Sequence, residues 1–130
     1  MKNLNILKSL FLVLTVVLSL SFIGIPENIN DALKTGDTNA LKKFMNSTVE
    51  LVILDKENIY SKIQAEQVLK RFFTKHRPVK FDVLHHGSND NSQYYIGSLK
   101  TDKETYRIYY LLKTKNNTTL IYQLRIESDE

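Results

Sequence analysis

His85 and His86 stand side by side, and two imidazoles converging on one point would hold a metal ion. The residues around them alternate like a strand, however, and neighbouring strand residues point to opposite faces, so these rings diverge. The third histidine, His76, falls at what reads as a helix end, and no His-x-His or His-x-x-x-His spacing occurs. There is no Cys. That excludes a thiol nucleophile, an iron–sulfur cluster, a cysteine zinc site, a disulfide framework and an acylated lipoprotein cysteine. The sequence asks for no metal and no cofactor.

A carboxylate general base needs a desolvated pocket to hold a useful pKa. Asp82 lies three residues before His85 on one strand, which in regular pleating sets the two on opposite faces. Asp55, Glu57, Glu50 and Tyr60 lie where they could reach the rim of a cavity, but the sequence gives none of them both an interior place and a partner. Solvated loop carboxylates are the simpler reading, and no catalytic residue is assigned. Tyr60, Tyr94, Tyr106, Tyr110 and Tyr122 could turn hydroxyls toward a cavity, although filling a core is the commoner use of tyrosines in a sheet. The most coherent group is Arg107, Tyr109, Ile121, Gln123 and Arg125, on one side of the last two strands. Apolar residues framed by charge resemble the centre and rim of an interface.

The elements that must position these residues follow from hydrophobic spacing. Ile25, Ile29, Ala32 and Leu33 repeat at helical intervals behind Pro26, and Gly36 ends that helix. Asp37 or Thr38 caps a second helix carrying Ala40, Leu41, Phe44 and Met45. Val49 to Leu54 is β-rich and reads as a strand. Ser61 and Gln64 form a capping box for a third helix, whose Ala65, Val68, Leu69, Phe72 and Phe73 make one apolar stripe that Pro78 terminates. From Lys80 onward, β-rich runs separated by polar turns indicate a four-stranded antiparallel meander. The expected order is α-α-β-α-β-β-β-β, an α+β class. On the last two strands Tyr106, Ile108, Tyr110 and Leu112, with Leu120, Tyr122, Leu124 and Ile126, are expected to face the helices. Arg107, Tyr109, Leu111 and Lys113, with Ile121, Gln123, Arg125 and Glu127, are expected to face outward. In this arrangement Tyr109 and Ile121 would be central to a two-fold dimer, and Ile121→Glu would separate the copies without unfolding them.

The N-terminus belongs to another regime. Lys2 and Lys8 precede an uncharged apolar run from Leu10 to Leu20, and Ser19 and Ser21 stand at its end at signal-peptidase spacing. Residues 1–21 are read as a signal peptide and residues 22–130 as one domain. The alternative is an uncleaved anchor, because Ser9 to Pro26 is at the lower edge of a membrane-spanning length. Cleavage lowers the net charge from +4 to +2, too little to suggest nucleic-acid binding. An exported, cysteine-free chain fits a bacterial periplasm or an extracellular setting, without stable membrane insertion once the signal is removed.

Helices followed by a curved antiparallel sheet resemble the nuclear transport factor 2-like (cystatin-like) cone. Three segments look closest: Ala32 to Asp37, Val49 to Lys62, and Gln123 to Glu127. Together they resemble a family of small exported bacterial domains of unknown function, DUF4783-like and found mainly in Bacteroidota. The resemblance implies a fold rather than an activity, since that superfamily spans enzymes, ligand-binding modules and dimerisation domains. Two functions stay open. One is an exported, non-catalytic binding or interaction module, homodimeric through the outer sheet face or docked to another envelope protein. The other is a small cone-fold lyase or isomerase acting on an apolar molecule. The purified native protein is expected to begin near Phe22 and to leave the membrane fraction without detergent; intact-mass analysis checks this, and retention of Met1 to Ser21 would contradict it.

Overall fold

The computed structural model describes Asn5 and residues 24–130. Apart from Asn5, the expected signal peptide therefore lies outside the described residues. Two short helices, α1 (Ile25–Thr35) and α2 (Thr38–Lys43), lead into β1 (Met45–Ile53) and β2 (Lys56–Ser61). Then come α3 (Lys62–Lys75), β3 (Pro78–Asn89), β4 (Ser92–Thr101), β5 (Thr105–Lys115) and β6 (Thr118–Ser128). The strands form one six-stranded sheet in the order β2-β1-β6-β5-β4-β3, with only β1 and β6 parallel. No helix among the described residues is long and apolar enough to cross a membrane.

The helix boundaries follow the expected caps. Gly36 closes α1 in the left-handed region at φ 69°, where a side chain would be strained. The Asp37 carboxylate then accepts the Ala40 N–H at 3.0 Å and starts α2. Ser61 Oγ accepts the Gln64 N–H at 3.2 Å while Gln64 accepts the Ser61 N–H, completing the capping box of α3. Lys42 and Glu66 pair at 2.9 Å and tie α2 to α3.

The helices cover the concave side of the sheet. Ile29, Leu33, Leu41, Leu69, Phe72 and Phe73 pack there against Leu51, Leu99, Ile108, Leu112, Leu124 and Ile126. Burying each such side chain contributes about 1.5–3 kcal/mol, so this layer supplies the main driving force of the fold. On β4, Gly97 leaves room for the Phe81 ring, whose tip would come within 2.4 Å of any Cβ there. An aromatic ring of β3 thus lies directly across the backbone of β4.

Met45, expected on the second helix, instead opens β1 four residues before the expected strand start at Val49, and three further expectations need correction. First, one strand was not anticipated: β2 pairs with β1 through a tight turn at Leu54 and Asp55, making the order α-α-β-β-α-β-β-β-β. Leu54 adopts φ 57°, a conformation usually reserved for Gly or Asn, so no turn residue marked it. Second, a bulge in β6 opposes Leu111 to Gln123 but Leu112 to Ile121, leaving Tyr122 as the extra residue. The bulge exchanges the faces of the strand's first half. Ile121 is fully buried in the core, whereas Tyr122 is half-exposed, with Lys113 and Lys115 lying 5.3 and 5.2 Å from its ring centre. Leu120 is likewise only half-buried. Third, a bulge at Leu84 puts Asp82 and His85 on the same face of β3, opposite Ser98 and Ile96. Asp82 pairs there with Lys80 at 3.4 Å, and both are well exposed.

Ile121→Glu therefore buries a charge instead of opening an interface. It is expected to cost several kcal/mol and abolish cooperative unfolding, as checked by chemical denaturation followed by circular dichroism.

Candidate functional site

Three groups of side chains could act on a partner or ligand. The first lies on the convex face of the sheet. The register sets Tyr109 opposite Arg125, Leu111 opposite Gln123 and Arg107 opposite Glu127. Arg107, Tyr109, Gln123 and Arg125, with Ile96 and Glu127, line a shallow depression of about 460 Å³. Four of the five residues expected to mark the interface are thus brought together, and Ile121 is excluded. Tyr94 stacks on Tyr109 with ring centres 6.3 Å apart, extending the apolar patch toward β3. Arg125 is held by Glu127 at 2.9 Å, while Arg107 meets no carboxylate among the described residues. Next to this patch Gln123 donates to Glu50 at 3.0 Å. Glu57 is held above the usual carboxylate range, first by a hydrogen bond shared with Glu50 and then by that neighbour's charge.

The second group lines a cleft on the concave side, where the β1–β2 hairpin stands off from α3. It has a volume of about 550 Å³. Leu51, Ile53, Val68 and Phe72 give it apolar walls, and Tyr60 lines it as well. Lys56, Arg71 and Lys75 also line it, together with the exposed Asp55.

The third group joins the end of α3 to β5. Tyr106 Oη lies 3.0 Å from His76 Nδ1, and Phe72 stacks on the His76 ring at 4.5 Å while meeting Tyr106 edge-on at 5.2 Å. Burial first, then the charge of Glu104, raises the Tyr106 pKa. The phenol and the imidazole share one hydrogen bond, whose donor is set by the ring's tautomer. Thirty residues separate this pair in sequence, and only His76's position near a helix end hinted at it. Of the remaining histidines, His85 and His86 do face opposite ways: His86 stacks on Tyr95, and His85 lies across from Ile96 on the convex side. No cluster of three metal-ligating side chains exists among the described residues.

Tyr110 is wholly buried and donates to Asn30 Oδ1 at 2.7 Å, with Tyr95 stacked on it at 4.9 Å. Burial foremost, then Tyr95 and Glu27, raises its pKa, and Tyr95 is raised by burial and then Glu27.

A helical layer on a strongly curved mixed sheet, open at a hairpin, defines a nuclear transport factor 2 (NTF2)-like α+β protein. The designed protein Rd1NTF2_04 with long sheet shares this fold at TM-score 0.63 and 15% identity, over 78% of this chain and 94% of that one. Within that class the chain belongs to DUF4783, a domain of unknown function, whose family model matches residues 26–127. A DUF4783 family protein from Bacteroides uniformis is 31% identical with TM-score 0.79, covering 82% of this chain and 99% of that one. Another, from Bacteroides ovatus, is 34% identical with TM-score 0.78, covering 82% of this chain and 96% of that one. Among curated proteins, none matches this chain.

The buried tyrosines give a pH dependence. Their raised pKa values mean that the folded state favours the neutral phenols. The stability they contribute is complete below the ordinary tyrosine pKa of about 10 and is lost as pH rises above it toward the folded values. Tyr110→Phe is expected to cost ~0.5–1.5 kcal/mol at neutral pH for the lost hydrogen bond, and to make the alkaline loss of stability shallower. Urea midpoints measured from pH 8 to 11.5 check both.

Proposed function

We propose that this DUF4783 protein is an exported, non-catalytic binding module that works as a homodimer, its two copies meeting across the convex face of the sheet. The observation that carries the reading is the composition of that face. Val52, Ile96, Tyr109 and Leu111 are buried or half-buried there with no helix over them, and Ile59 and Tyr94 are exposed beside them. A wholly solvated face would not need so many apolar groups.

The face is also self-complementary in charge. Its β1–β2 end carries Glu50 and Glu57, which repel each other, and its β5 strand carries the unpaired Arg107. Adjacent strands lie about 4.8 Å apart, and β1 and β5 flank β6 symmetrically. A two-fold axis running along β6 therefore lays the partner's β5 over β1. Tyr109 then falls over Val52, and Arg107 moves toward the acidic end. Aromatic residues at the centre with charges around them match the usual make-up of a dimer interface.

The sequence also left open a lyase or isomerase acting on an apolar molecule. Such an enzyme would want a desolvated carboxylate in its pocket, and the carboxylate that lines the cleft, Asp55, is exposed. The interaction reading carries more support.

Sedimentation equilibrium at micromolar concentration is expected to give twice the chain mass. Tyr109→Glu is expected to give a folded monomer with an unchanged far-ultraviolet circular dichroism spectrum and a melting temperature that no longer depends on concentration. A wild-type monomer would overturn the dimer and leave the convex face to another envelope protein.

A further inference from the structure

We propose that the cleft between the β1–β2 hairpin and α3 binds a small amphiphilic anion, an apolar chain or ring ending in a carboxylate or phosphate. The site lies on the concave side, so it goes beyond the proposed dimer, and either can fail without the other.

The cleft has the size and make-up of a small-molecule site. Its volume of about 550 Å³ falls within the range such sites occupy, about 300–1,000 Å³. Its apolar walls come from three separate elements: Leu51 and Ile53 on β1, Tyr60 on β2, and Val68 and Phe72 on α3. Leu51 and Phe72 belong to the core, so these walls are fixed by the fold.

The charges around the cleft give the ligand its sign. Arg71 and Lys75 are one turn apart on α3, where like charges destabilise a helix. Lys56 faces the same space from the hairpin, and among the described residues the only carboxylate lining the cleft is Asp55. Among the described residues none of the three cations pairs with a carboxylate, although Lys42, Lys80 and Arg125 elsewhere each do. Three unpaired cations gathered at an apolar cleft are complementary to a negatively charged head on an apolar body. Arg71 supplies the planar fork that suits a carboxylate or phosphate, and the lysines add point charge.

Calorimetric titration of the purified protein with decanoate, decyl phosphate, acetate and decyltrimethylammonium, all below micellar concentration, tests the proposal. At least one of the two decyl anions is expected to saturate a single site, with affinity that falls as salt rises. Preference for decanoate assigns a carboxylate head, and preference for decyl phosphate assigns a phosphate head. Acetate and the decyl cation are expected not to bind. The double variant R71Q/K75Q, altered at two exposed positions, should lose about tenfold or more in affinity while melting no lower than the wild type. Amide shifts at Tyr60 and Val68 on titration place the ligand in the cleft. Equal binding of the decyl cation, an unchanged affinity in the double variant, or no binding by either decyl anion would overturn the proposal.

Discussion

Strand β6 holds the sheet together, and its bulge at Tyr122 decides what each side of the molecule presents. The strand lies near the middle of the sheet, bonded in parallel to β1 and in antiparallel to β5. Strand side chains alternate, so one extra residue reverses the faces of everything before it. Ile121 goes into the core and Tyr122 comes out, while Leu124 and Ile126 keep the inward places they would have had anyway. The β1–β6 register also slips at this level, between Met45 and Glu50, and the Ile121 N–H is taken up by the Phe44 carbonyl at 2.7 Å. The docking of the α2–β1 junction and the removal of Ile121 from the convex face go with that irregularity.

The concave side meets two demands in different places. Over β4, β5 and β6 it is closed, and its buried tyrosines find polar partners on the helices: Tyr110 on Asn30 of α1, and Tyr106 on His76 at the end of α3. A buried phenol without a partner would give back about 1–3 kcal/mol of what its ring contributes. Toward the β1–β2 hairpin the helical layer runs out and the cleft opens. The same α3 therefore presents Leu69 and Phe73 to the core and, further around its surface, Val68, Arg71 and Lys75 to the cleft.

Elements with local chemical marks were legible in the sequence. Gly36, Asp37 and the Ser61–Gln64 pair each set a boundary through their own hydrogen bonds or backbone freedom, and each is where the spacing placed it. The features that escaped have no such mark. Strand β2 is exposed and polar over Lys56 to Asn58, and its turn is made by Leu54, which gives no turn signal. The bulges at Tyr122 and Leu84 occur without Gly or Pro, because they answer to the pairing of distant strands. Four of the five residues expected on the outer face lie there because β5 is regular and the bulge comes before Gln123. Ile121 was misplaced because it precedes the bulge. The cleft escaped for a related reason: Lys56, Arg71 and Lys75 become neighbours only once the unforeseen hairpin stands beside α3.

The sheet is open, and its two edges differ greatly in hazard. The β2 edge is short and charged at its start, a poor template for strand addition. The β3 edge runs for 12 residues with Val79, Val83 and Leu84 exposed, long enough to recruit another chain into a continuous ladder. The Leu84 bulge breaks the even spacing of that edge's free amides and carbonyls, and the charged Lys80 and Asp82 stand just before it. An incoming strand can pair on one side of the break or the other, but not through it. The irregularity that misleads a reading of the β3 faces is thus also a guard against self-assembly into fibres.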